Sequence, residues 1–478
     1  MIKKIYIGLI ITIATVCSAC NDFLDKQPIS DSTVDKFWKN ETDANVGIIA
    51  IYSDFSKAMA SGLWNWGEIR ADNFDYYEKD APDQQELVTN NILIDNPAAL
   101  WTNLYFTISK ANAAIKYIPE IEMNVKLRND YLAEAYAMRA WCYYYCVRVW
   151  GDVPLLLEPV ESVSQGIYFK RTDKNYIIDN VILPDLEKAY LNIDKTRNET
   201  DSKRTRMNVG TVCALLMDVY AWKHDYGMVA KIKEERVDRL GRSTWRTLVS
   251  ENGSNFNTNW RKMFFESTAA ESVPEVWFRA AYDRYGNGNN QAIAYFARSS
   301  CKLRVSATLR EAYESKDLRA NLQWVHKSGV YRFSKKFWDD GTIFSGSGAV
   351  NSDVDLVLYR YADIILLYAE ALNALGRTND AITELNRTRT RAGNEPFFTE
   401  DFTDSEMLLD AILAERQKEF VGEGKRWFDI VRTNRWAQHS SLTDEAKIVF
   451  PIHRAHLNQN PELEQNFPAY PCLLYTSP

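Results

Sequence analysis

Residues 360–393 read RYADIILLYAEALNALGRTNDAITELNRTRTRAG. Ile365, Tyr368, Ala369 and Leu372 recur at three- and four-residue spacing, which puts them on one face of an α-helix. Gly376 falls where that helix needs a left-handed residue to stop. Beyond it, Ala381, Leu385 and Thr388 line the inner face of a second helix. The small Ala369 and Ala381 let the two helices approach closely. Such a hairpin cannot cover its own apolar face, so further hairpins must stack beside it.

The offsets from Ile365 to Leu385 match the ~34-residue tetratricopeptide helix pair. Working outward, the same logic recurs. Upstream, Trp101, Leu104, Tyr105, Ile108, Ala111 and Ile115 share a face, and the partner helix YLAEAYAMRAWCYYYCVRVW is stopped by Gly151 and Pro154. A third pair starts at Tyr176 and meets Pro184, where a kink or a new helix start is expected. Its second member carries Val212, Leu215, Leu216 and Val219 inward. Downstream, SEMLLDAILAERQKEF and EGKRWFDIVRTNRW make a fourth pair. Nearer the start, Thr42 is placed to cap a helix burying Ile48, Ile49, Tyr52 and Phe55. WNWGEIRADNFDYYEKDAPDQQ after it has little periodicity and reads as a loop. From Gly241 to about Asp353, Gly, Asn, Ser and aromatics interrupt every period. The expected fold is mainly α: four tetratricopeptide-like helix pairs form a scaffold over about 100–235 and 355–436. An irregular, loop-rich second lobe at about 241–353 packs on it as an insertion.

Residues 1–19 form a signal peptide: Lys3 and Lys4, an apolar run from Ile5 to Val16, then Ser18 and Ala19. Cys20 follows directly and resembles the lipid-modified cysteine of a bacterial lipobox, although Cys17 occupies the usual leucine position. The mature unit is 20–478. PCLLYTSP at the end has no helical or strand logic, and 472–478 read as a non-native tail. No other apolar run reaches the ~20 residues that span a bilayer.

With 478 residues, a formal charge of −7, 46% hydrophobic and 25% charged residues, the chain is an ordinary globular protein without a basic footprint for nucleic acid. Seven cysteines at irregular spacing do not make a disulfide framework, and Cys142 and Cys146 read as small buried residues. Most of the 14 Trp and 26 Tyr must be core, and the surplus of flat apolar faces suits stacking on ligands.

Three kinds of function compete: a glycan-cleaving enzyme, a protein-binding repeat adaptor, and a ligand-capturing protein. Glu415, Glu419, Glu423 and Asp429 form the densest carboxylate cluster, and a glycosidase needs two carboxylates ~5–10 Å apart. Yet Arg416, Lys418, Lys425 and Arg426 lie beside them, and such pairing lowers a carboxyl pKa, the wrong direction for a general acid. They read as salt bridges. His453 and His456 lack a third metal ligand, and no phosphate loop or nucleophile motif stands out. No catalytic residue, metal or cofactor is expected.

Binding a sugar requires flat aromatics on its C–H faces and polar groups for its hydroxyls. One loop supplies Arg70, Asp72, Asn73, Tyr76 and Tyr77, preceded by Trp64 and Trp66. Another supplies Tyr282, Arg284, Tyr285 and Asn287. Tyr76, Tyr77 and Tyr285 have polar neighbours and belong to no apolar period, so they are the leading ligand contacts.

Together these segments resemble the SusD/RagB family of surface lipoproteins. CNDFLDKQP is similar to the family's start, and WTNLYFTISKAN and AEAYAMRAWCYYYCVRVWGDVPL to its first repeat helices. RYADIILLYAEALNALG with LNRTRTRAG resembles its most recognisable pair. ERQKEFVGEGKRWFDIVR resembles its C-terminal signature, through Glu415, Arg416, Glu419, Glu423, Gly424, Arg426, Trp427, Asp429 and Arg432. PIHRAHLNQNPELEQNF resembles its ending, with His453 where proline is common. The resemblance implies a lipid-anchored protein on the outer-membrane surface that binds an oligosaccharide without cleaving it. It also implies a partner, a SusC-like TonB-dependent transporter, with the helix-pair scaffold facing that partner and the 241–353 insertion facing the ligand. A peptide is the alternative ligand within the family.

Overall fold

A computed structural model describes residues 37–77, 81–160, 168–196, 204–240, 246–250, 255–265, 273, 275–280, 302–327, 329–333 and 356–470. Cys20, Tyr282, Tyr285 and the 472–478 tail lie outside them.

The first helix, α1, runs Glu41–Gly67. Its cap is Asn40, not Thr42: the Asn40 Oδ1 accepts the Asp43 N–H at 3.1 Å. Ile48, Ile51, Phe55 and Met59 face the core, whereas Ile49, expected beside them, is 52% exposed. The helix runs on through Trp64 and Trp66, which are buried helix residues rather than loop residues. After β1 (Phe74–Tyr76) and α2 (Pro82–Val88), α3 (Thr102–Tyr117) and α4 (Val125–Trp150) form the first hairpin, and α1 packs on both. Helix α4 ends at Gly151, and β2 (Val153–Pro154) pairs with β3 (Arg171–Thr172).

A short α5 (Lys174–Ile177) passes through a π-helical turn, Ile178–Ile182, into α6 (Leu183–Asn192). Pro184, which has no N–H to donate to the preceding turn, lies directly after this π-helical turn, at the start of α6. Helix α7 (Val209–Trp222) buries Val212, Leu215, Leu216 and Val219 completely, and α8 (Tyr226–Ile232) turns back against it.

Within 241–353, the described residues hold α9 (Phe256–Phe265), β4 (Val276–Ala280), β5 (Leu303–Val305), α10 (Ala307–Glu311), α11 (Ala320–Gln323), β6 (Trp324–Lys327) and β7 (Val330–Phe333). Order expected to return as helix at Leu356 returns as strand β8 (Leu356–Arg360), which pairs with β4 and leads straight into α12 (Tyr361–Ala374). Strand β1 pairs with β5, setting Phe74 against Val305, Asp75 against Arg304 and Tyr76 against Leu303. All four described sheets are two-stranded and antiparallel.

The opening hairpin is α12 with α13 (Thr378–Arg391). Ile365, Ala369, Leu372, Ala381 and Leu385 are all fully buried at their interface and against neighbouring helices. Gly376 takes φ +74°, a left-handed conformation that glycine adopts without steric penalty because it has no Cβ. The fourth hairpin, α14 (Ser405–Phe420) and α15 (Arg426–Arg432), follows, with a final α16 (Arg454–Gln459). His453, at the departure from the family ending, caps α16 by accepting the Ala455 N–H at 3.0 Å.

Candidate functional site

The carboxylate cluster is locked in a buried ionic network. Arg319 donates to Glu415 at 2.8 Å and to Glu419 at 2.7 Å. Arg360 donates to Glu275 at 2.7 Å, to Glu419 at 2.6 Å and to Glu423 at 3.0 Å. Arg391 bonds Glu275 and Glu419. Charge pairing was legible from the sequence, but the main partners come from Arg319, Arg360 and Arg391. Of the neighbours in sequence, Lys418 reaches Glu415 at 3.1 Å, while Arg416 binds Asp363 and Asp429. Burial alone pushes the Glu419 carboxyl up; the Arg391, Arg360 and Arg319 charges outweigh it and hold it well below the usual range. A carboxyl held ionised in this way cannot deliver a proton to a leaving group.

The same balance sets acid stability. Burial raises the Asp363 carboxyl, but Lys425 and Arg416 bring it down to about 2. Each folded carboxyl lies below its unfolded value, so its stabilisation is complete above the unfolded pKa and is lost as pH falls through the folded one. From 3.8 to about 2, Asp363 contributes roughly 2 kcal/mol at neutral pH. Acid unfolding followed by Trp fluorescence is expected between about pH 4 and pH 2. A protein that stays folded at the bottom of that window contradicts this.

The 70–77 stretch divides sharply. Arg70 is 1% exposed and Asn73 is 0% exposed, so neither is an accessible ligand contact. The Arg70 guanidinium donates to the carbonyls of Ile448 and Lys447, each at 2.6 Å, and to Asn90 Oδ1 at 2.8 Å. It stacks 3.9 Å over the Trp427 ring, and burial brings its pKa down to about 9. Asn73 donates to Glu68 at 2.6 Å and accepts from Gln417 at 2.9 Å. Asp72 accepts two bonds from Arg426, both 2.9 Å, and one from the His439 ring at 2.9 Å. Burial raises its carboxyl, yet the His439 bond and the Arg426 charge hold it at about 2. These three bind the C-terminal segments to α1; their hydrogen-bonding capacity is spent inside the protein.

Tyr76 is half-buried on β1, and its hydroxyl accepts the N–H of Ala81 at 3.3 Å, just ahead of α2. Tyr77 is 41% exposed, with the Arg304 guanidinium 5.9 Å from its ring. The Tyr77 N–H donates to the Lys302 carbonyl at 2.9 Å.

Lys302 lines a cleft of about 550 Å³, within the size range of small-molecule sites. Helix α1 contributes Ser61, Asn65 and Trp66, and α2 contributes Asp83, Gln84 and Leu87. The third wall runs from Asn96 and Pro97 through Leu100 to Thr102 and Asn103 at the start of α3. Asn96 secures this wall: its amide donates to the Asp83 carbonyl at 3.1 Å and to Glu86 at 2.7 Å, and its Oδ1 accepts the Ala98 N–H at 2.9 Å. Trp66 ties it to α1 by donating to the Ala98 carbonyl at 2.8 Å. His456 stacks 4.8 Å from Trp101, accepts its backbone N–H at 3.3 Å, and is lowered to about 4 by burial and by His453. That histidine braces the wall. Amides, hydroxyls and exposed aliphatic carbon can meet a polyol's hydroxyls and C–H faces together.

Sequence reasoning missed this cleft. Asn65, Trp66, Asp83 and Gln84 fall in the stretch that reads as a loop, but Asn65 and Trp66 lie on α1, and Asn103 opens α3, whose apolar period gives no sign of a cleft.

Helical hairpins that hold up a polar cleft, with the dense carboxylates neutralised in the interior, define a binding protein built on a repeat scaffold. The chain belongs to the SusD/RagB family. The SusD family profile matches residues 252–440, and a profile described as starch-binding associating with outer membrane matches 22–225. SusD-like protein P38 of Formosa agariphila is 30% identical over 98% of this chain and 99% of its own length. A SusD homolog from Bacteroides thetaiotaomicron superposes with a TM-score of 0.72 at 25% identity, covering 90% of this chain and 98% of that one. NanU of B. fragilis shares the fold, with a TM-score of 0.73 at 21% identity over 92% of this chain and 99% of its own. Family membership supports a glycan-binding accessory role. No helix among the described residues is long and apolar enough to cross a membrane.

Proposed function

We propose that this protein is a cell-surface lipoprotein, anchored through Cys20, that captures an oligosaccharide and delivers it to a SusC-like TonB-dependent outer-membrane transporter without cleaving it. The observation that carries this reading is the cleft between α1, α2 and α3, with exposed Tyr77 joined to its Lys302 edge. The family and its outer-membrane description supply the cellular context. Tyr77 stacks on the ligand, Asn103 and Ser61 take hydroxyls, and Tyr76 positions α2. Tyr282 and Tyr285 stay in the proposal as further aromatic contacts from the insertion.

Tyr77→Ala and Asn103→Ala are each expected to weaken glycan binding about tenfold, the effect of losing one ligand contact worth ~1.4 kcal/mol. Affinity electrophoresis in polysaccharide gels reads this directly. Wild-type retardation in both variants refutes the placement of the site. Deleting the gene is expected to abolish growth on one particular glycan; undiminished growth on every glycan tested, or copurification with a partner other than a TonB-dependent barrel, refutes the delivery role.

A further inference from the structure

The cleft's charge and its hydrogen-bonding polarity narrow the ligand class. Among the described residues, its lining holds one carboxylate, Asp83, and one ammonium, Lys302. Among the described residues, cations on the adjoining elements are paired with carboxylates, Lys57 and Lys110 both with Asp54. Arg304 lies 3.5 Å from Asp75, and Arg454 pairs with Asp95 at 2.7 Å. Glu86, behind the Asn96 wall, accepts the Leu93 N–H at 3.1 Å and the Asn96 amide. The whole chain carries −7. A polyanion needs an excess of cations to offset its desolvation and self-repulsion, and a surface of the same sign repels it.

The Asn65 side chain adds a directional argument. Its amide nitrogen donates to the Ser61 carbonyl at 2.9 Å, which fixes the amide's orientation. Its Oδ1 is then left buried with no hydrogen-bond partner among the described residues. Asn65 lines the cleft, so a ligand group that reaches this oxygen must be a donor. A sugar hydroxyl donates; a sulfate or ionised carboxylate only accepts.

We infer that this cleft selects an uncharged oligosaccharide and rejects sulfated or uronate-rich glycans. The inference rests on the glycan-binding reading above. Among the described residues the lining carries no excess of positive charge to draw an anion, and an anionic oxygen cannot complement the Asn65 acceptor as a hydroxyl can.

Titration of the full mature protein against two sets of polysaccharides tests it. The uncharged set is soluble starch, galactomannan, xyloglucan and arabinan; the charged set is chondroitin sulfate, polygalacturonate and dextran sulfate. Wild type and Asn103→Ala are compared at low and high salt, with folding of both checked by circular dichroism. The expected result is saturable binding of an uncharged member, changed less than about twofold by salt and weakened about tenfold by Asn103→Ala. Charged polymers are expected to show no binding that Asn103→Ala alters. Binding of a charged polymer that Asn103→Ala weakens overturns the inference while leaving glycan capture at this cleft intact. Absence of binding to every polysaccharide in both sets overturns the inference and the glycan-binding reading together.

Discussion

Replacing Arg360 with alanine is expected to lower the stability of this protein by about 4 kcal/mol, the scale for removing one partner of a buried ion pair. Arg360 joins β8 to α12, and its guanidinium holds Glu275, Glu419 and Glu423 as well as the Glu419 carbonyl at 2.7 Å. All four side chains are shut away from solvent. Without the guanidinium, three carboxylates face one another in low dielectric, with Arg391 and Arg319 left to neutralise them. The loss comes chiefly from stranded charge. Arg360→Lys keeps a positive charge but not the forked geometry, so it is expected to recover only part of the loss. Thermal melting of the two variants beside wild type checks both. Equal melting temperatures for wild type and Arg360→Ala refute a structural role for the network.

Gly67→Ala is expected to cost about 3 kcal/mol, the upper part of the range for overpacking a filled interior. Gly67 is the last residue of α1. A Cβ built there falls far inside contact distance of the Gly424 carbonyl, a backbone atom that cannot swing aside. The contact is held tightly: Trp64 donates to the Gly422 carbonyl at 2.8 Å, and Glu68 accepts the N–H groups of Gly422 at 3.1 Å and Gly424 at 3.2 Å. Gly376→Ala is the control. It has open space around it and only its left-handed φ to satisfy, so a loss of about 1 kcal/mol is expected. Because Ser61, Asn65 and Trp66 lie on the same last turns of α1, Gly67→Ala is also expected to weaken ligand binding. Urea unfolding of the pair gives the comparison; a Gly67→Ala loss no larger than that of Gly376→Ala contradicts the close packing.

The helical hairpins were legible because their information is local. Ile365, Tyr368, Ala369 and Leu372 declare one face within eight residues, and Gly376 marks the stop. The same holds for Val212 to Val219 on α7. What was not legible depends on distant chain. Arg70 reads as a loop cation until Lys447 and Ile448 arrive to take its donors. Asp72 and Asn73 read as sugar ligands until Arg426, His439 and Gln417 saturate them. Trp64 and Trp66 read as loop aromatics because Gly62 and Gly67 interrupt the apolar period, yet both glycines belong to α1 and mark close contacts, Gly62 beneath the Trp66 ring and Gly67 against Gly424. The carboxylates of 415–429 announced pairing by their basic neighbours, while the identity of their partners required the fold. Tyr77 has the Arg304 guanidinium 5.9 Å from its ring, and it is the one described member of the expected set that is exposed.

The most direct measurement is to bind the intact mature protein to soluble polysaccharides by calorimetric titration and then to recover each glycan and measure its chain length. The account predicts saturable heat with at least one of them, reduced in both Tyr77→Ala and Asn103→Ala, and glycan recovered at its starting length. Shortened chains, or binding that neither substitution weakens, contradict it.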